Sequence, residues 1–255
     1  MHDDLSRLFD LSGRVAIVTG GSRGLGRAIA IGFAKAGAGV VVASRKLDAC
    51  EAVAEEVRAL GADPLAVAVS MQAPDEVRAL VERTVERFGR IDVVVNNAAT
   101  VLDRSLERLE PATFDGAFAT NLLGPLLLVQ AAVPHLAASG HGSVINVISI
   151  AVDAGSPDRY LYPPAKAALA QATRSLARDL GPQGIRVNGI SPGTIRTDMV
   201  VKAFDDPTLA RIAGATPLGR IGDPDEIVGP ALLLASDAGS FITGTVLKVD
   251  AGYTA

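Results

Sequence analysis

Val15–Gly26, VAIVTGGSRGLG, reads as a strand running straight into a glycine loop and then a helix. Val15, Ala16, Ile17 and Val18 form a short unbroken apolar run, which suits a strand covered on both faces rather than one half exposed to water. From Leu25 the periodicity turns helical: Ile29, Phe33 and Ala36 share a face, and Gly37 supplies the stop. The loop between must turn tightly and let its backbone approach an anion, and Gly20, Gly24 and Gly26 offer positions without a Cβ. The helix start then presents unpaired N–H groups, so the whole stretch is a phosphate-binding device. Ser22, Arg23 and Leu25, interleaved with the glycines, are its further candidate contacts.

At 255 residues the chain could form one large α/β domain or two small ones, with a sizeable core in either case. A single cysteine, Cys50, excludes an internal disulfide and offers no metal cluster; packing on a helix is its expected role. The net charge of −4, with basic residues scattered, argues against nucleic acid as a partner. No apolar run of about 18 residues lacks Pro, His, Gln or a charge, so neither a transmembrane helix nor a membrane partner is expected. The opening MHDDLSRLFDL has two acids and no apolar segment of the secretory kind, which points to a cytoplasmic protein.

Beyond the first unit, strands are expected at 39–44, 65–69, 92–96, 143–148, 185–190 and 246–249. Helices are expected over about 47–60, 73–88, 111–135, 163–180 and 226–234, several with apolar stripes such as Val77, Val81 and Val85. This alternation predicts an α/β fold, a doubly wound parallel sheet of the Rossmann-like kind with helices on both faces. One domain spanning 1–255 is the simplest reading.

Open sheets of this kind bind ligands at the carboxyl ends of their strands, and four polar side chains fall there. Asn121 lies in a helix among Leu122, Leu123 and Leu126 to Val129, where a polar amide needs a partner. Ser149 ends the fifth strand, in Asn146-Val147-Ile148-Ser149. Tyr162 and Lys166 are an i, i+4 pair, one turn apart on a helix, whereas Tyr160 has Pro164 at that spacing. Pro163-Pro164 is tolerated in a first helical turn and pushes the residue before it out of the helix, which puts Tyr162 at the helix mouth. Asn96-Asn97-Ala98-Ala99 closes the fourth strand, and Pro192-Gly193 follows the sixth.

With the Thr19-Gly20-x3-Gly24-x-Gly26 spacing and these four side chains in register, almost the whole chain resembles the short-chain dehydrogenase/reductase family. The resemblance implies an oxidoreductase that moves a hydride between a nicotinamide cofactor and a small-molecule carbonyl or secondary alcohol. It implies catalytic roles for Asn121, Ser149, Tyr162 and Lys166, and places Asn97 beside the adenosine half of the cofactor. It assigns Pro192, Gly193, the Ile195 backbone and the Thr197 hydroxyl to the nicotinamide carboxamide, with Lys166 also bonding the nicotinamide ribose and Tyr162 also contacting the cofactor. Residues 194–215 would form a mobile substrate lid, and Asp250-Ala251-Gly252-Tyr253 would lie near the interface of a homotetramer, a homodimer being the alternative. Two positions depart from the family pattern: Ala99 replaces its usual Gly, and Ser70 replaces an Asp that contacts the adenine amino group.

The end of the second strand bears on cofactor choice, because an acid there would bond the adenosine ribose 2′-hydroxyl. This chain has Ser44, Arg45 and Lys46 instead. Cations at a helix N-terminus oppose the macrodipole at a cost of about 0.3–1 kcal/mol, and a bound 2′-phosphate reverses that penalty. Arg45, with Arg23, could grip such a phosphate, so NADP(H) is expected in preference to NAD(H). In reduction Tyr162 would protonate the carbonyl oxygen, Lys166 would favour its phenolate, Ser149 would hold the oxygen, and Asn121 would hold a water linking Lys166 to solvent. One branch of the family acts on 3-oxoacyl groups carried by an acidic carrier protein, docked on basic residues before strands five and six. Here Ala137-Ala138-Ser139-Gly140-His141 and Pro182-Gln183-Gly184 are nearly uncharged, which favours a free small molecule over the 3-oxoacyl-(acyl-carrier-protein) reductase reading. The remaining alternative, a catalytically silent NADP-binding regulator, usually lacks the Tyr or the Lys.

Overall fold

In the computed structural model, which describes residues 3–101, 106–153 and 159–255, the apolar run of the opening motif is β1 (Val15–Thr19), buried at every position. It lies inside a seven-stranded parallel sheet of order β3-β2-β1-β4-β5-β6-β7. The other strands are β2 (Gly39–Ser44), β3 (Pro64–Ala68), β4 (Val93–Asn96), β5 (Ser143–Val147), β6 (Arg186–Pro192) and β7 (Val246–Val249). The helices among the described residues are α1 (Asp3–Leu8), α2 (Gly24–Lys35), α3 (Leu47–Ala59), α4 (Pro74–Phe88), α5 (Pro111–Phe118) and α6 (Gly124–Ser139). They continue with α7 (Tyr162–Leu180), α8 (Asp198–Ala203), α9 (Asp206–Gly214) and α10 (Val228–Ala235).

Because side chains alternate along a strand, each strand feeds two cores. Ala16, Val18, Val40, Val42, Val93 and Val95 meet Ile29 and Phe33 of α2, Val57 of α3 and Leu234 of α10. Their neighbours Ile17, Val41, Ala43 and Val94 meet Leu80 of α4, Leu128 and Leu136 of α6, and Leu180 of α7 on the opposite face. The winding reverses after β3, so that β4 returns beside β1 and the crossovers change face. That reversal opens a crevice over the carboxyl ends of β1 and β4.

The expected helix over 111–135 is a composite. A π turn, Ala119–Leu123, separates α5 from α6. The run then passes through Pro134 to end at Gly140, whose φ of 75° is the left-handed cap that a side chain would resist. By length and composition alone, 111–139 could cross a membrane, contrary to the expectation from its interrupting Pro, His and Gln. One side of it, Leu128, Val129, Ala132 and Leu136, is built into the core. Helices α1, α8 and α9 had no periodic signal, being short, and the expected helix over 226–234 begins as a 3-10 turn, Pro224–Ile227, before α10.

At the amino ends of the strands, the fully buried Asp92 carboxylate accepts from the Val15 N–H at 2.8 Å and from Arg90 at 2.6 and 2.8 Å. It therefore tethers the entry of β1 to the entry of β4. Asp92→Ala should lower unfolding stability by about 1.5–3 kcal/mol, the loss of hydrogen bonds to a charged group, as read by urea denaturation.

Candidate functional site

The glycine loop is held open by close backbone contact. Gly20 has a φ of +64°, and a Cβ there would lie 2.9 Å from the Ala98 Cα. A Cβ on Gly26 would lie 2.2 Å from the Gly20 carbonyl oxygen, so neither position accepts a side chain. Helix α2 starts at Gly24 with no acid in its first turn and no side-chain cap, which leaves its leading N–H groups for an anion. The Asn97 amide donates to the carbonyls of Thr19 and Gly20 at 2.9 and 3.2 Å, and the Thr19 hydroxyl accepts from the Asn97 and Ala98 N–H groups, each at 3.1 Å. Asn97 thus sets the shape of the loop from the neighbouring strand.

At the end of β2 the Ser44 hydroxyl donates to the Ser22 Oγ at 2.9 Å and lies 3.2 Å from the Cys50 Sγ. Cys50 is buried on α3, as expected, and burial pushes its thiol pKa up. Arg23, Arg45 and Lys46 are exposed, and none is in an ion pair with a described residue, whereas Arg27 of the same helix is paired with Glu56. Three cations beside two helix N-termini suit a ligand rich in phosphate. The loop and helix start therefore fit a dinucleotide, with Leu25 packed against the core behind them. On the other side of the crevice, Pro192 ends β6 and the Gly193 N–H donates to the Val249 carbonyl at 2.9 Å. Ile195 pairs with Gly222, and the Thr197 hydroxyl caps α8 by accepting from the Val200 N–H at 3.4 Å, which leaves its proton to donate elsewhere. A Cβ on Gly24 would stand 3.3 Å from the Thr197 methyl, so the loop and Thr197 face each other across the crevice.

The polar cluster stands at the carboxyl ends of β4 and β5. Lys166 is buried, and its Nζ donates to the Val147 carbonyl at 2.6 Å. Burial pushes its pKa down to about 8, because a dry site disfavours the ammonium. The same Nζ lies 5.9 Å from the centre of the Tyr162 ring. Tyr162 opens α7 as its first residue, with Pro163 and Pro164 behind it, so the mouth of the helix lies at the tyrosine rather than one residue after it. Ser149 follows β5 and its Oγ accepts from the Ala151 N–H at 3.2 Å, starting the 3-10 turn Ile150–Val152 that packs on α7.

Asn121 occupies the middle of the π turn and is fully buried. Its side-chain amide donates to the Ala117 carbonyl, one turn back along the helix, at 2.9 Å. The same amide donates to the Thr100 carbonyl at 2.9 Å and accepts from the Thr100 N–H at 3.2 Å, which is the partner its burial required. The π turn in turn packs on α7. The sequence reading missed the chain behind this cluster: Asn96 donates to Asn146 at 2.8 Å, and Asn146 donates to Thr173 of α7 at 2.9 Å. A polar Asn146 between Ile145 and Val147 in a strand buried on both faces was the signal for it. A separate surface hollow of about 350 Å3 lies between Lys35, Gly37, Leu60 and Gly61. It faces the carboxyl ends of α2 and α3, where the helix dipoles repel anions, so it is no rival for the dinucleotide.

A sequence profile for the family described as enoyl-(acyl carrier protein) reductase matches residues 20–254. An uncharacterized oxidoreductase of Mycobacterium tuberculosis is 44% identical over 97% of this chain and 94% of its own. A 3-oxoacyl-(acyl-carrier-protein) reductase of Staphylococcus aureus is 37% identical over 93% of this chain and 96% of its own. Among solved structures, a short-chain type dehydrogenase/reductase from Mycobacterium marinum superimposes with a TM-score of 0.91 at 36% identity, covering 97% of this chain and 98% of that one. A gluconate 5-dehydrogenase from Burkholderia cenocepacia, in complex with NADP and tartrate, superimposes with a TM-score of 0.92 at 33% identity, covering 98% of each.

The depressed Lys166 pKa has a measurable consequence. Between about pH 8 and its ordinary value of 10.5, the unfolded chain holds a proton that the native chain has released. Native stability therefore rises with pH across that window, and the cost of burying the ammonium is constant below it. Lys166→Met, which does not titrate, should lack this rise. Urea denaturation near pH 7.5 and near pH 10 should show the wild type gaining about 2 kcal/mol relative to the variant.

Proposed function

Because the chain belongs to the short-chain dehydrogenase/reductase family, whose members act on CH–OH groups, we propose that it interconverts a carbonyl and a secondary alcohol on a free small molecule. NADP(H) serves it in preference to NAD(H), and Tyr162 exchanges the proton. The observation that carries the reading is the buried Lys166 ammonium anchored on Val147 beside the Tyr162 ring. An ammonium held there, in a dry site, biases a neighbouring ionisable group.

Gly20, Ser22, Arg23, Gly24, Leu25, Ser44, Arg45, Lys46, Asn97, Pro192, Gly193, Ile195 and Thr197 would hold the dinucleotide, and its nicotinamide supplies or takes up the hydride. A phenol has an ordinary pKa near 10, so it is a weak base at neutral pH without a cation beside it. Lys166, still largely protonated at that pH, favours the phenolate and allows Tyr162 to give a proton to the carbonyl oxygen or take it back from the alcohol. The Ser149 hydroxyl uses its oxygen to cap a turn, and its proton remains to hold the reacting oxygen. With the side chain of Asn121 spent on Thr100 and Ala117, that residue contributes through backbone groups of the π turn, where a water reconnects Lys166 to solvent.

In this reading the whole chain works as one domain in the cytoplasm, residues 194–215 close over the substrate, and copies assemble into a homotetramer. The fully exposed Phe241 and the half-exposed Tyr253 favour burial against another copy. Relatives that act on carrier-bound 3-oxoacyl groups support a second reading. The short uncharged connection through Gly140 and the 3-10 turn Gly181–Gln183 give an acidic carrier no basic dock at those places, so a free substrate is preferred.

With a panel of carbonyls and alcohols followed by NADPH absorbance, Tyr162→Phe should lose about two to four orders of magnitude in turnover while cofactor affinity stays near the wild-type value. Full activity in that variant would overturn the assignment, and a chain silent towards the whole panel would be a regulator. Cofactor choice is read separately. Arg45→Ala should weaken NADPH about ten- to a hundredfold and spare NADH, and Ser44→Asp combined with it should reverse the preference, both by fluorescence titration.

A further inference from the structure

Arg159, close to Tyr162 along the chain, is a cation that the proposed reaction does not use. Arg159 lies three residues before Tyr162, so no more than about 11 Å of chain separates their Cα atoms. Its guanidinium carbon stands 5.9 Å from the centre of the Phe204 ring, the residue that ends α8. Helix α8 buries none of its own residues, and this cation–π contact ties its end to the stretch just before the tyrosine. A guanidinium set against a ring keeps its in-plane N–H edge for a carboxylate.

Several neighbouring charges are already engaged. Asp153, on the turn that begins at Ser149, is paired with Lys248 at 3.2 Å. Arg196 faces Asp223 at 3.9 Å. Asp205, next to Phe204, turns back to accept from the Thr208 N–H at 3.0 Å as the cap of α9. Asp198, Lys202 and Asp206 are exposed on the lid helices and form no ion pair with a described residue. Arg159 itself has no carboxylate among the described residues within ion-pair distance, the neighbouring pairs being those of Asp153 and Asp223.

We propose that Arg159, steadied by Phe204, receives a carboxylate on the substrate, so that the substrate class is an oxo acid and its hydroxy acid. The proposal rests on the oxidoreductase reading above and adds the class of molecule it takes. The acid group lies a few carbon atoms from the reacting carbon, because the arginine and the tyrosine are so close along the chain. No bond is made or broken at Arg159; it orients the substrate and favours the anionic member of any pair.

The test uses matched pairs of short and medium-chain oxo acids and their methyl esters, each reduced with NADPH by the full-length protein. The wild type should prefer the acid about ten- to a hundredfold in kcat/KM, the worth of a hydrogen-bonded charge pair. In Arg159→Ala the acid-to-ester ratio should fall to about one, mainly through a raised KM for the acid, and Arg159→Lys should restore part of it. Binding is read independently with Tyr162→Phe in the presence of NADPH: calorimetric titration with the oxo acid should saturate, and the added Arg159→Ala should abolish it. A wild-type enzyme that reduces esters as well as acids would overturn the proposal and leave the oxidoreductase reading intact. So would an Arg159→Ala variant that slows both members equally, since the arginine would then be a lid latch only. Absence of turnover and of binding across the pairs would overturn the oxo-acid proposal, and silence towards the whole panel of carbonyls and alcohols would overturn both.

Discussion

Between β1 and β4 the hydrogen-bonded register stops at Val18 opposite Val95, and beyond that point the two strands must be held by something other than the ladder. Thr19 and Asn97 do this. The threonine hydroxyl accepts two N–H groups of the departing β4 chain and donates to the Val95 carbonyl, while the asparagine amide returns two hydrogen bonds to the β1 side. Because the joint is made of short side chains, the glycine loop can approach Ala98 to within what a Cβ would forbid, and α2 begins directly over the crevice. Without it, the backbone groups of the loop would be unpaired beside a dry core, at a cost of about 1–3 kcal/mol each.

A second polar chain performs the same service for the wall that bears Tyr162 and Lys166. Asn96, Asn146 and Thr173 are all buried, and they link β4 to β5 and β5 to α7. Thr173 lies two turns beyond Lys166 on the same helix, so the link fixes the rotation of α7 that brings Lys166 onto the Val147 carbonyl. Burying a lysine is unfavourable, and a helix free to roll would expose it. The Asn96 Oδ1 has no hydrogen-bond partner among the described residues.

The architecture was legible because its signals are local. A buried parallel strand reads as Val15 to Val18, and α4 reads as Val77, Val81 and Val85 with Gly89 at its end. The positions of Tyr162 and Lys166 could likewise be placed on one helical turn from spacing alone. What escaped has no local signature: the π turn depends on the Asn121 amide meeting Thr100, and the Asn96–Asn146–Thr173 chain depends on strands that meet only in the folded sheet. Helices α8 and α9 escaped for the opposite reason, since between them they bury only Leu209 and so carry no apolar stripe to read. The cation–π contact of Arg159 and Phe204 joins residues 45 positions apart, and only the fold brings them together.

The π turn amounts to one residue more than a regular helix would need between α5 and α6. A lineage that lost that residue would gain a smoother helix with every backbone bond in its usual place. It would also lose the widened turn that seats Asn121 between Thr100 and Ala117. The irregularity is therefore tied to chain length: shortening the segment by one residue smooths the helix and gives up the seat of the asparagine.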